Sequence, residues 1–139
     1  MKLELITLDG VKVNNDVYEV LLPTPDGVIA ILPGHERIVT LAVNGTLAVR
    51  HKKGDLDSQI EYFATYGGVA EVSPTRIRIL VDEADTADEI IAEEAEKALR
   101  QAEVLKAGAK DQMELAKAQA EIDRHAVRLK VAGLRRHKR

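Results

Sequence analysis

Over the first 82 residues short apolar runs alternate with turn-forming residues, and this pattern predicts strands at 3–8, 17–22, 28–32, 38–43, 46–50, 60–65, 69–72 and 76–81. The runs are divided by Asp9-Gly10, Pro25-Asp26-Gly27, Pro33-Gly34, Asn44-Gly45, Lys53-Gly54, Gly67-Gly68 and Ser73-Pro74. Glycine and asparagine accept the positive φ of tight hairpins, and proline presets the first turn position. In RIRILV the period is two: Ile77, Ile79 and Val81 share one face and Arg76 and Arg78 the other, the mark of a half-buried strand. Turns at intervals of about ten residues point to an antiparallel sandwich or barrel.

From Asp85 the composition shifts to alanine, glutamate, lysine and leucine, strong helix formers. Thr86 with Glu89 has capping-box spacing, Gly108 offers a left-handed C-cap, and Asp111 with Glu114 repeats the start signal. Helices are therefore expected at roughly 87–107 and 112–132, each about 30 Å long. Their apolar stripes are Ala87, Ile91, Ala95, Ala98, Ala102 and Leu105, and Leu115, Ala118, Ile122, Leu129 and Ala132. The short joint predicts an antiparallel hairpin. Its seam is mostly alanine, at about 0.8 kcal/mol per buried methyl, so it holds weakly. The expected organisation is an all-β sandwich over 1–84 followed by a helical hairpin over 85–139.

Composition excludes several kinds of chemistry. The chain has no cysteine, hence no disulfide, thiolate nucleophile or thiolate metal site. No apolar run approaches the roughly 20 residues that cross a bilayer, and MKLELITLDG lacks a secretion signal's apolar segment, so direct membrane insertion is not expected. His35, His51, His125 and His137 have no metal-ligand spacing, and neither Ser58 nor Ser73 sits in a nucleophile elbow. No Gly-rich phosphate loop ends in Gly-Lys-Ser/Thr. Catalytic residues, metal sites and cofactors are accordingly not expected. Charge divides along the chain: residues 1–85 carry 8 basic and 13 acidic side chains, whereas residues 86–139 carry 12 and 10. No acidic residue follows Asp123, and this basic end suits an anionic partner. The aromatic residues Tyr18, Tyr62, Phe63 and Tyr66 are too few for a base-stacking platform, and no nucleic-acid partner is expected.

One stretch, ILPGHERIVT (31–40), sets a histidine on a Pro-Gly turn between apolar runs, compatible with a base, a ligand or a docking contact. Taken with Pro25-Asp26-Gly27, Asn44-Gly45, YFATYGGVAEV (62–72), RIRILV and the acidic entry to a hairpin, it makes the chain resemble the epsilon subunit of bacterial F-type ATP synthase. The order and spacing hold over almost the whole chain. The resemblance implies about ten antiparallel strands in two sheets ahead of the hairpin. It also implies a non-catalytic rotor subunit of the central stalk, peripheral on the cytoplasmic face of the bacterial membrane. In it Gly34 and His35 face the gamma subunit, and Asp26, Gly27 and Val28 face the c-subunit ring. Glu36 and Arg37 follow the histidine where alanine and proline are common in the family.

The resemblance further implies that the hairpin can open, carrying Arg124, Arg128, Arg135 and Arg136 to an acidic loop of beta, beside alpha, to oppose ATP hydrolysis. Some relatives bind ATP through I-D-x-x-R-A; here IIAEEA (90–95) puts Ile91 for the aspartate and Glu94 for the arginine, so ATP binding is not expected. The alternative reading is a free-standing sandwich adaptor whose basic tail grips an acidic protein or RNA.

Overall fold

The computed structural model describes residues 1–137, with side chains described through Leu134. Within them eight strands precede two helices: β1 (Lys2–Thr7), β2 (Gly10–Asp16), β3 (Glu19–Thr24), β4 (Gly27–Ile31), β5 (Ile38–Ala42), β6 (Gly45–Arg50), β7 (Glu61–Val72), β8 (Arg76–Thr86), α1 (Ala92–Ala107) and α2 (Gln112–His137).

The spine is β7. Its first half pairs with β6, its second half with β5, and β8 runs antiparallel along both. One layer therefore reads β2-β1-β8-β7-β5 and the other β8-β7-β6-β3-β4. Their inner faces share one core, in which Leu3, Leu5, Leu22, Ile31, Leu47, Phe63, Ile77 and Ile79 are fully enclosed. Because both long strands serve both layers, the strand count is roughly ten, as expected. Ile77, Ile79 and Val81 are buried, as the two-residue period predicts.

The crossing between layers needs a change of phase. Phe63 and Thr65 are buried in the first half of β7, Ala70 and Val72 in the second, so the inward face slips by one residue between them. Gly67, with φ +41°, takes the slip in β7. A Cβ at the next residue, Gly68, would lie 1.9 Å from the Leu80 carbonyl oxygen. The Gly67-Gly68 pair is therefore a bend within one strand, and the runs at 60–65 and 69–72 merge into β7.

Three other expectations are corrected. β2 escapes the apolar pattern because, as an edge strand, it buries only Val13. β1 pairs with β8 in parallel, unlike every other pairing, because the strands between them carry the chain back to the starting end. The first helix starts at Ala92. The Thr86 hydroxyl does accept from the Glu89 amide (3.3 Å), but it caps a single 3-10 turn, Ala87–Glu89, because Ile90 then takes extended backbone to bury its side chain.

Gly108 closes α1 at φ −93°, not in the left-handed region, through its N–H to the Val104 carbonyl. Asp111 caps α2 as expected: its carboxylate accepts from the Glu114 amide (2.8 Å), and the Glu114 carboxylate accepts from the Lys110 amide (2.9 Å). α2 runs to His137, beyond the expected end at 132. In α1 only Ala95 and Ala102 are buried, while Ile91 and Leu105 of the expected stripe are exposed. Among the described residues the buried side chains of the two helices are Ala95, Ala102, Ala118, Val131 and Ala132, while Leu99, Leu115, Ile122 and Leu129 are half-buried.

Candidate functional site

The two outer faces of the sandwich differ. One is covered by the chain's own helices: Tyr62, Ala64 and Tyr66 of β7 pack against Ile90, Ala95, Val131 and Ala132. The opposite face is bare. There the register aligns Leu41 of β5, Val69 of β7, Leu80 of β8, Ile6 of β1 and Val11 of β2 in a row across five strands. Leu41, Leu80 and Val11 are 59%, 42% and 62% exposed. At the usual inter-strand spacing the row spans roughly 19 Å. Beside it runs a second line of cross-strand partners, Val39, Glu71, Arg78 and Glu4. Glu4 receives both Arg76 and Arg78, at 3.3 Å from Arg78, and the Arg76 guanidinium above all holds its carboxyl below the usual carboxylate range. A shallow cleft of about 440 Å³ opens at this edge, lined by Arg37, Val39, Glu71, Arg76 and Arg78 among others. Contiguous exposed apolar surface rimmed by charge is the usual signature of an interface.

His35 lies at the end of that face. Gly34, at φ +86°, donates to the Pro74 carbonyl (2.8 Å) and ties the histidine loop to the β7–β8 turn. The His35 Nδ1 is 2.7 Å from the Glu36 carbonyl, so the ring is held locally, and Glu36 and Arg37 are exposed beside it. Asp26, Gly27 and Val28 form the turn and first positions of the β3–β4 hairpin, at the other end of β4 from His35. The Thr24 hydroxyl donates to the Gly27 carbonyl (2.6 Å), and Val28 projects into solvent at 65% exposure. The two expected contact loops are thus held apart by the length of β4.

Two other histidines have structural partners, His51 Nε2 at 3.2 Å from Glu61 and His125 Nε2 at 3.2 Å from Glu121 one turn away, and the side chain of His137 lies outside the described residues. His125 lies on the helix-contact stripe, largely covered. Among the described residues no group of three or more His, Cys, Asp or Glu is arranged to hold a metal ion, and no helix is long and apolar enough to cross a membrane.

Arg124 and Arg128 are not displayed to solvent as a basic face. Arg124 pairs with Glu83 (2.5 Å) and lies over the Tyr66 ring at 5.1 Å, and Arg128 pairs with Asp85 (2.5 Å). The side chains of Arg135 and Arg136 lie outside the described residues. Ile91 is exposed at the N-terminal end of α1, and Glu94 stands in its acidic first turn.

Sequence reading missed the apolar row and the carboxylates opposite Arg124 and Arg128. A signal for the row exists: IVTLAV (38–43) is apolar on both faces of a strand, and Leu80 stands on the arginine side of RIRILV. Nothing in the sequence pairs Glu83 and Asp85 with residues 41 and 43 positions further on.

Comparison with known proteins agrees with this architecture. The family model for the beta-sandwich domain of the ATP synthase delta/epsilon chain matches residues 1–87. The chain is 36% identical over 138 residues to the ATP synthase epsilon chain of Herpetosiphon aurantiacus, covering 99% of this chain and 98% of the relative. It is 37% identical over 137 residues to that of Chloroflexus aggregans, covering 99% and 95%. In fold it is like a chain in the structure of the Euglena gracilis mitochondrial ATP synthase, OSCP/F1/c-ring in rotational state 1, with a TM-score of 0.79 at 24% identity over 94% of this chain and 79% of that one. Since the likeness takes in the sandwich and the hairpin together, from one end of the relatives to the other, the chain belongs to the ATP synthase epsilon-chain family.

Proposed function

We propose that this non-catalytic subunit works in the central stalk of a bacterial ATP synthase, docking on gamma through the bare outer face and the His35 loop. The carrying observation is the apolar row Leu41, Val69, Leu80, Ile6 and Val11, in which Leu41, Leu80 and Val11 are exposed and which a rotor subunit would cover on assembly. The Asp26–Val28 hairpin, at the far end of β4, then meets the c-subunit ring. The complex is peripheral to the cytoplasmic face of the membrane. In this reading the subunit couples gamma to the ring during synthesis.

Its hairpin restrains hydrolysis by opening, so that Arg124, Arg128, Arg135 and Arg136 reach carboxylates on beta, beside alpha. The weak alanine seam supports such opening. Free ATP is not part of the mechanism, because Glu94 stands where an arginine would attract the triphosphate, and Glu93 and Glu94 already occupy the positive end of the α1 dipole. An adaptor gripping RNA with its basic tail draws less support, since Arg124 and Arg128 already have carboxylate partners.

The test is removal of residues 111–139 in the assembled complex. Hydrolysis is expected to rise severalfold while the sandwich still co-purifies with gamma. Unchanged hydrolysis would count against inhibition by the hairpin, and loss of gamma would count against the docking face.

A further inference from the structure

We infer that Glu83 and Asp85 form a latch that holds α2 shut against the sandwich without a nucleotide, by occupying Arg124 and Arg128. Both carboxylates stand on the outer side of β8, just beyond the phase slip that turns this strand into the second layer. Ala84 between them faces the core. The two arginines lie four residues apart and so one above the other on α2. The 2.5 Å pairs Arg124–Glu83 and Arg128–Asp85 are therefore parallel rungs between one strand and one helix. The Arg128–Asp85 pair is the better covered, with side chains 22% and 21% exposed. The Arg124 guanidinium also lies 5.1 Å from the centre of the buried Tyr66 ring, a cation–π distance.

The rungs add to a small apolar contact, in which Val131 and Ala132 of α2 are buried against Tyr62, Ala64, Tyr66, Ile90 and Ala95, with Val127 and Leu129 partly covered. The segment before α1 has an anchor of its own in Lys12, which donates to Glu89 at 3.1 Å, while Ile90 shares its buried cluster with Val131 and Ala132 of α2. Breaking the rungs should therefore favour release of α2, with the Lys12–Glu89 pair still tying the segment before α1 to the sandwich. The same arginines cannot serve the sandwich and another acidic partner at once, so Glu83 and Asp85 compete with any such partner; that consequence rests on the proposed function, whereas the latch does not.

The chain has no cysteine, so Lys53→Cys and Ala116→Cys give two unique spin-label sites, on the sandwich and on α2. Pulsed electron-spin distance measurement on the full chain is expected to give one narrow distance. Glu83→Gln with Asp85→Asn should raise a second, longer population about fivefold to tenfold, as expected for losing two partly exposed pairs. Arg124→Gln with Arg128→Gln should do the same without touching the sandwich sequence, which keeps the test valid if the first variant folds poorly. Asp85→Arg alone should open α2, and Asp85→Arg with Arg128→Glu should close it again. A single unchanged distance in the neutralised variants, or a swapped pair that stays open, overturns the latch. Neither result touches gamma docking, which is read by co-purification.

Discussion

Tyr66 gathers several effects in one side chain. It is buried under α2, and Arg124 lies over its ring. Burial pushes its phenol up to about 12, and the nearby Arg128 and Arg124 charges only partly oppose that. A raised pKa means that folding favours the neutral phenol. This contribution is complete below the unfolded tyrosine value of about 10 and is lost as the pH climbs toward 12. Subtracting the phenolate absorbance titration of Tyr66→Phe from that of the parent chain should leave a single transition near 12. A transition near 10 would mean that α2 does not cover the ring.

For the elements, the decisive feature is the bend of β7 and β8 from one layer to the other. Gly68 permits it, because any Cβ there would collide with the Leu80 carbonyl at 1.9 Å. The obstacle is backbone in the adjoining strand and cannot move aside as a flexible side chain would. Gly68→Ala should lower stability by about 3 kcal/mol or more, read as a lower urea midpoint with an unchanged slope. Wild-type stability would show that the strands can separate there at little cost. The same bend explains which elements were legible. The sheet-forming runs with alternating burial could be read directly, as Ile77, Ile79 and Val81 were. β2, with one buried side chain, could not. The Thr86–Glu89 cap was read correctly as a contact and wrongly as a helix start, because the burial of Ile90 outweighs local propensity.

At the scale of the molecule, one sandwich face is closed by the hairpin and the other is open, so the two faces should respond differently to mutation. Leu41→Asp with Leu80→Asp changes side chains that are already solvent-facing, and the thermal midpoint should stay within a few degrees of the parent. Association with gamma should fall at least tenfold, measured as the amount retained after size exclusion of the mixed subunits. Full retention would remove the bare face from the proposed interface.

The strands other than β2, the change from strands to helices, the cap contacts at Thr86 and Asp111 and the core phase of the first half of β8 follow from local sequence, since period, turn chemistry and capping act over a few residues. The family was legible for the same reason: its motifs are turns and strands kept in order. Only the tertiary structure decided the rest. Cross-strand register assembled the row Leu41, Val69, Leu80, Ile6 and Val11 from five separate strands. The return of α2 onto β7 and β8 brought Arg124 and Arg128 to Glu83 and Asp85, more than forty positions away. Such pairings depend on how layers and helices stack in space, and no periodicity along the chain encodes them.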